Sequence, residues 1–247
     1  MELVRRGLAS SRAQAKRLII TQQVVIVGGS SPRPSSVVAS ETIIEVIGVQ
    51  RRWVSRGAEK LLAALDRFPV EMRGKRVLDV GASTGGFTEV ALEAGASTVV
   101  ALDVGRGQLH ERLSADPRVV SIEKTNIRTT SPEQLGGPFP FVVVDLSFIS
   151  LCVVAGSLAA LAVDGADLIV LVKPQFEVGR SGLGHGGIVR DPVSRARTVV
   201  TVIACMAAAG LGARGLIRSP IDGGDGNVEY LLWLRKGDEG LDMEVPV

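Results

Sequence analysis

Aromatic residues are scarce in this 247-residue sequence: six Phe, two Trp and one Tyr make up 4% of it. That scarcity argues against a broad stacking platform for single-stranded nucleic acid. Cysteine is nearly missing as well. Cys152 and Cys205 lie far apart and cannot build a disulfide framework, so inert buried thiols in a reducing cytoplasm are expected. The two histidines, His110 and His185, are isolated, with no H-x-x-x-H or C-x-x-C pattern, and no zinc site or other metal is expected. A G-x-S-x-G nucleophile elbow is absent. Long apolar runs are missing too. The uncharged apolar run Thr198 to Ala213 falls short of the roughly 20 residues a membrane span requires. The opening Met1-Glu2-Leu3 lacks the basic-then-apolar order of a signal peptide. The expectation is a soluble, cytoplasmic protein with no membrane partner. At 46% apolar and 22% charged, the composition is ordinary globular usage and excludes disorder, collagen and coiled coil. The length suits one large domain with a small appendage.

The net charge of +2 conceals an asymmetry. Residues 1–60 hold ten Lys/Arg against four Glu, a net +6, which leaves −4 for residues 61–247. A basic head on a mildly acidic body is the pattern of a head that meets a polyanion. Residues 1–47 read as a small α+β module of two helices and short strands. Ala15, Leu18 and Ile19 share one helical face, while Arg12 and Lys16 share another, with Arg17 beside it. The β-type run Val24–Val27 closes at Gly28-Gly29. A module this short has a thin core. Residues 48–56 read as a linker, with Trp53 as its packing anchor.

From residue 57 to 247 helix and strand alternate. Strand-like runs fall at Arg76–Val80, Thr98–Leu102, Val119–Ile122, Phe141–Val144 and Leu168–Val172. Helical stretches fall at Ala58–Phe68, Phe87–Ala94, Gln108–Leu113, Leu151–Leu161 and Val193–Ala209. This rhythm predicts an α/β fold with a parallel sheet covered on both faces. The last two runs, Arg214–Arg218 and Tyr230–Arg235, have no crossover helix between them and so form an antiparallel pair. A mostly parallel sheet with one antiparallel strand near the end is the Rossmann-like methyltransferase arrangement.

Ligands of such sheets bind beyond the carboxyl ends of the strands, and the conspicuous polar residues stand there: Asp79, Asp103, Asp145 and Lys173. The turn Asp79-Val80-Gly81-Ala82-Ser83-Thr84-Gly85-Gly86-Phe87 leads from strand to helix. Ser83 replaces the second glycine of G-x-G-x-x-G, and no G-K-[ST] follows. Asp103, 22 residues after Gly81, is placed to accept the ribose hydroxyls of a nucleoside cofactor. That acid suits NAD and S-adenosyl-L-methionine alike; the altered glycines and the antiparallel end favour the latter. Contacts to it are expected from Asp79, Gly81, Ala82, Ser83, Thr84, Gly85, Gly86, Phe87, Asp103, Val104, Asn126 and Asp145. Lys173 closes an apolar strand, where a lysine is costly unless it has a task. Lys60 reads equally well as a solvated helix face, and Glu229 as an ordinary edge carboxylate. Gly182, Gly184, Gly186 and Gly187 follow the Lys173 strand as a flexible loop, either a lid or a simple excursion.

Five strings resemble the TlyA/hemolysin A family over nearly the whole chain. They are Trp53-Val54-Ser55-Arg56-Gly57, the Asp79–Thr88 turn, Asp145-Leu146-Ser147-Phe148-Ile149-Ser150, Lys173-Pro174-Gln175-Phe176-Glu177-Val178-Gly179 and Gly226-Asn227-Val228-Glu229-Tyr230. The head, with Arg5-Arg6-Gly7-Leu8 and Ser11-Arg12-Ala13-Gln14-Ala15, resembles the RNA-binding domain first described in ribosomal protein S-four. The body resembles the FtsJ-like methyltransferases. The resemblance implies S-adenosyl-L-methionine-dependent 2′-O-methylation of cytidine in ribosomal RNA, the large subunit favoured over the small. It also implies a Lys-Asp-Lys-Glu tetrad on Lys60, Asp145, Lys173 and Glu229. RNA contacts are expected from Arg5, Arg6, Arg12, Lys16 and Arg17. The sequence departs from the family at Glu59, where His is frequent, at Arg106 in place of Tyr, and at Gln22 in place of a turn glycine.

In this reading Lys173 takes or polarises the 2′-hydroxyl proton, and a 2′-hydroxyl requires RNA rather than DNA. Carbon methylation of a pyrimidine usually needs a nucleophilic Cys, and neither Cys sits in a strand-end loop. The competing readings are a catalytically silent ribosome-assembly factor, a membrane-lytic toxin and a dehydrogenase. Retention of all four tetrad residues, the lack of a basic amphipathic membrane helix and the glycine pattern count against them in turn.

Overall fold

The computed structural model describes residues 2–6, 8–9, 12–29, 31–39, 41–46, 53–179, 182–223 and 226–246. The chain divides into two compact units, Met1–Arg52 and Trp53–Val247. Part of the expected linker, residues 48–52, lies outside the described residues, while residues 53–56 belong to the larger unit. There Trp53 and Val54 pack on its core.

The smaller unit contains α1 (Glu2–Arg5), α2 (Arg12–Ile20), β1 (Val24–Ile26) and β2 (Ile44–Val46). The two strands pair antiparallel with Val25 opposite Glu45. Its buried core is Leu3, Ala9, Ala15 and Val24, as thin as expected. α2 ends in a Schellman turn: Gln23 N donates to Leu18 O at 2.9 Å and Gln22 N to Ile19 O at 3.1 Å. That turn holds Gln22 at φ 55°, in the left-handed region where glycine is preferred.

The larger unit contains α3 (Gly57–Arg67), β3 (Arg76–Val80), α4 (Gly86–Glu93), β4 (Thr98–Leu102), α5 (Glu111–Ser114), β5 (Val119–Ile122), β6 (Phe139–Val144), α6 (Leu151–Leu161), β7 (Ala162–Val172), α7 (Pro192–Ala208), β8 (Leu211–Arg218) and β9 (Tyr230–Lys236). Seven strands form one sheet in the order β5-β4-β3-β6-β7-β9-β8. β9 alone runs against its neighbours, which is the mixed sheet the sequence predicts.

Alternation along the strands feeds two cores. Leu78, Val80, Val142 and Val144 turn to the face covered by α6 and α7, while Val77, Phe141 and Val143 turn to the face covered by α3 and α4. β7 starts six residues before the expected run because Ala162, the cap of α6, is already extended and pairs with Phe139. None of these described helices is long and apolar enough to cross a membrane.

The expectation of two free thiols is corrected. Cys152 and Cys205 form a disulfide, with their Cα atoms 5.2 Å apart. α6 and α7 lie side by side on one face of the sheet, so 53 residues of sequence separation do not separate the two side chains in space.

Candidate active site

The strand order reverses at β3, which has β4 on one side and β6 on the other, and the crevice expected at such a point opens beyond the ends of these strands. Gly81 leaves β3 at φ 85°, and a Cβ there would lie 2.4 Å from the carbonyl oxygen of Asp145. Only glycine lets the turn pass this close to the end of β6. The turn is fastened from the other side by Gly81 N and Ala82 N, which donate to Leu102 O at 2.8 and 3.1 Å. Asp103, just past β4, accepts from Ser83 N through Oδ2 at 2.8 Å and from Gly105 N through Oδ1 at 2.6 Å. Two backbone donors thus fix its carboxylate in the crevice, with lone pairs to spare for a ribose.

Two adjoining hollows share Gly81, Ser83 and Asp145. One, of about 250 Å³, is walled by Ser55, Arg56, Lys60, Thr84, Gly86 and Phe87. The other, of about 270 Å³, is walled by Asp103, Val104, Thr125, Ile127, Ser147 and Phe148. Three expected cofactor contacts stand outside both linings. Gly85 serves packing, since a Cβ there would lie 2.2 Å from Leu113 Cδ1. Asn126 caps a short turn by accepting from Arg128 N at 3.0 Å, while its neighbours Thr125 and Ile127 form the wall. Asp79 is fully buried beneath the turn. Thr88 Oγ1 donates to its Oδ2 at 2.6 Å, and among the described residues Oδ1 has no hydrogen-bond partner. Burial, assisted by the negative charge of Asp145, pushes the Asp79 carboxyl up to about 7.

The tetrad residues meet as two ion pairs. Lys60, on α3 and almost buried, places Nζ 2.5 Å from Glu229 Oε2, and Gln175 Nε2 donates to Glu229 Oε1 at 3.1 Å. Lys173 Nζ lies 2.6 Å from Asp145 Oδ1. The same amine donates to Ser147 Oγ at 2.8 Å. Lys60 and Asp145 line the same hollow. The direction of β9 explains how Glu229 joins them: Tyr230 pairs with Val172, so the start of the antiparallel strand lies beside the end of β7, next to Lys173.

The sequence reading passed over several wall residues. Ser55 and Arg56 line the first hollow, and Ser147 and Phe148 the second. The available signal for the last two was their position two and three residues past an acid at a strand end. The glycine loop after Lys173 is tied down at its far end, where Asn227 Nδ2 donates to Gly187 O at 3.1 Å and its Oδ1 accepts from Val189 N at 2.9 Å.

In the smaller unit, Arg5 Nε donates to Glu2 at 2.9 Å and Arg6 Nε at 2.7 Å. Arg6 also donates to the carbonyls of Thr42 and Ala39, at 2.5 and 3.1 Å. Arg6 therefore ties α1 to the segment before β2, and Arg5 pairs within α1, whereas Arg12, Lys16 and Arg17 are exposed on α2.

Residues 53–236 match the family described as FtsJ-like methyltransferase. The 16S/23S rRNA (cytidine-2′-O)-methyltransferase TlyA of Mycobacterium tuberculosis is 52% identical over 95% of this chain and 88% of that protein. The chain belongs to the TlyA/hemolysin A group of FtsJ-like methyltransferases. Hemolysin A of Brachyspira hyodysenteriae is 37% identical over 91% of this chain and 94% of its own length. A solved structure from Streptococcus thermophilus, carrying a provisional hemolysin name, superposes with a TM-score of 0.79. It is 41% identical and covers 96% of this chain and 87% of its own. The chain is thus a methyltransferase of the TlyA type.

Proposed function

We propose that this TlyA-type chain transfers a methyl group from S-adenosyl-L-methionine to the 2′-hydroxyl of a cytidine in ribosomal RNA, with the large-subunit RNA as its first target. The observation that carries the reading is the pair of Lys–carboxylate contacts, Lys60–Glu229 and Lys173–Asp145, beside a crevice whose far wall holds a fixed ribose-type acid, Asp103. When bound, the cofactor supplies an electrophilic methyl and leaves as a neutral thioether. Asp103 accepts from the ribose hydroxyls, and the Gly81 turn lets the nucleoside lie against backbone. The chain's remaining task is to place the 2′-hydroxyl in line and manage its proton. Lys173 faces that hydroxyl and Asp145 orients the amine; the proton passes to this pair as the oxygen–carbon bond forms. Lys60, held by Glu229, lines the neighbouring wall and positions the nucleotide. Arg12, Lys16 and Arg17 supply phosphate contacts, so RNA binding weakens steeply with salt. Such a substrate places the enzyme in the cytoplasm.

The test is labelled-methyl transfer to 23S and 16S RNA and to assembled subunits, with the product digested to nucleosides. Label in 2′-O-methylcytidine is expected. Label on a base, or none, sinks the reading; in the second case a silent RNA-binding assembly role takes its place. Lys173→Ala is expected to remove transfer while calorimetry still detects cofactor binding, and full activity in that variant removes the assignment of Lys173.

A further inference from the structure

Lys173 does not itself line either hollow, whereas Ser147 does. The Lys173 amine donates to Ser147 Oγ at 2.8 Å and lies 2.6 Å from Asp145 Oδ1. The serine hydroxyl therefore marks where the amine comes nearest the nucleoside side of the crevice.

The seam around that contact is made by neighbouring residues. Phe148, the next residue, is held at φ 64°, an outlier for a bulky side chain and the kind of strain that persists only where surroundings over-determine it. Two contacts supply the restraint. The Phe148 ring packs on Phe176 with centroids 4.9 Å apart, and Phe176 in turn lies 5.9 Å from Lys173 Nζ. Farther along, Glu177 accepts from Ser150 Oγ at 2.6 Å and from Leu151 N at 2.7 Å. The loop after β6 and the segment after β7 are thus clamped together twice, and the Ser147–Lys173 bond spans the same seam.

We propose that Ser147 is a positioning residue for methyl transfer, its hydroxyl holding the Lys173 amine at the rim of the crevice in reacting alignment. The role rests on the function proposed above. Displacement of a catalytic group by about 1 Å can cost on the order of 100-fold in rate, so loss of this bond should be felt in turnover rather than in cofactor affinity.

The test compares full-length wild type, Ser147→Ala and Ser147→Thr. It measures kcat and KM for ribosomal RNA methylation across pH, the cofactor Kd by calorimetry, and Tm. Ser147→Ala is expected to lower kcat by roughly 10- to 100-fold and to displace the pH profile of kcat. Its Tm should stay at the wild-type value, and any change in cofactor Kd should be far smaller than the loss in kcat. Ser147→Thr, which keeps the hydroxyl, should restore most of the rate. Wild-type turnover and pH profile in Ser147→Ala would overturn the role, as would a threonine variant as slow as alanine or a rate loss that tracks Kd or Tm. An inactive wild type overturns the function itself and the role with it; an active wild type with an indifferent Ser147→Ala overturns the role alone.

Discussion

Lys60→Met exposes the energetics of the site most directly. Lys60 is 8% exposed and Glu229 2%, so each charge has left most of its water and depends on the other at 2.5 Å. Removal of the lysine leaves Glu229, among the described residues, with the neutral donor Gln175 Nε2. Breaking a buried pair from one side costs about 3–5 kcal/mol, whereas replacing both partners with apolar groups of similar volume is often nearly neutral. Lys60→Met and Glu229→Leu are therefore each expected to cost about 3 kcal/mol or more. The double variant should cost much less than their sum. For a unit of this size each kcal/mol lowers Tm by about 2–4 °C, so a single variant should melt roughly 6–12 °C early. The assay is a double-mutant cycle by urea and thermal unfolding, with methyl transfer measured in parallel. All three variants should be inactive. Additive stability losses would refute the reasoning, because they would mean that neither charge depends on the other for its burial.

Asp79→Asn tests the buried acid. Its folded pKa is raised from 3.8 to about 7, so the stability tied to its neutral form is present below about pH 4 and is lost as pH rises through 7. Relative to wild type the asparagine variant should gain stability between pH 5 and 8, by up to roughly 4 kcal/mol; a pH-independent difference in Tm would remove the assignment. Gln22→Gly relieves the left-handed C-terminal turn of α2, and after the entropy cost of glycine the smaller unit should gain about 0.5–1 kcal/mol. Unchanged or lower stability of that unit in urea would contradict this. Reduction of the Cys152–Cys205 bond, or Cys152→Ala with Cys205→Ala, opens a 53-residue loop worth about 4 kcal/mol in the chain-entropy account. A Tm unaffected by dithiothreitol would show that the bond contributes nothing.

Strand positions were legible because β3, β6 and β7 are nearly continuous apolar runs, and the missing crossover helix before β9 betrayed its direction. The strand-end acids were legible for the same reason, since the end of a run is visible in sequence. Burial of a charge was not. Lys60 looks like any lysine on a helix until Glu229, 169 residues away, is seen against it. Asp79 looked like a cofactor contact because it precedes the glycine turn, yet the turn passes over it and Thr88 takes one of its oxygens. The cysteines were misread because distance along the chain says nothing about which helices lie side by side. Ser147 has no signature in composition or period; its partner is set by a strained backbone at Phe148.

The route of β9 has a consequence for how the enzyme matures. Because Lys60 precedes its carboxylate partner by 169 residues, a growing polypeptide carries that amine without its counter-charge until the segment leading into β9 has been made. The central strands can assemble before then, but the amine gains its counter-charge only when the final hairpin docks. A molecule whose final hairpin has not yet docked therefore lacks the assembled Lys60–Glu229 pair.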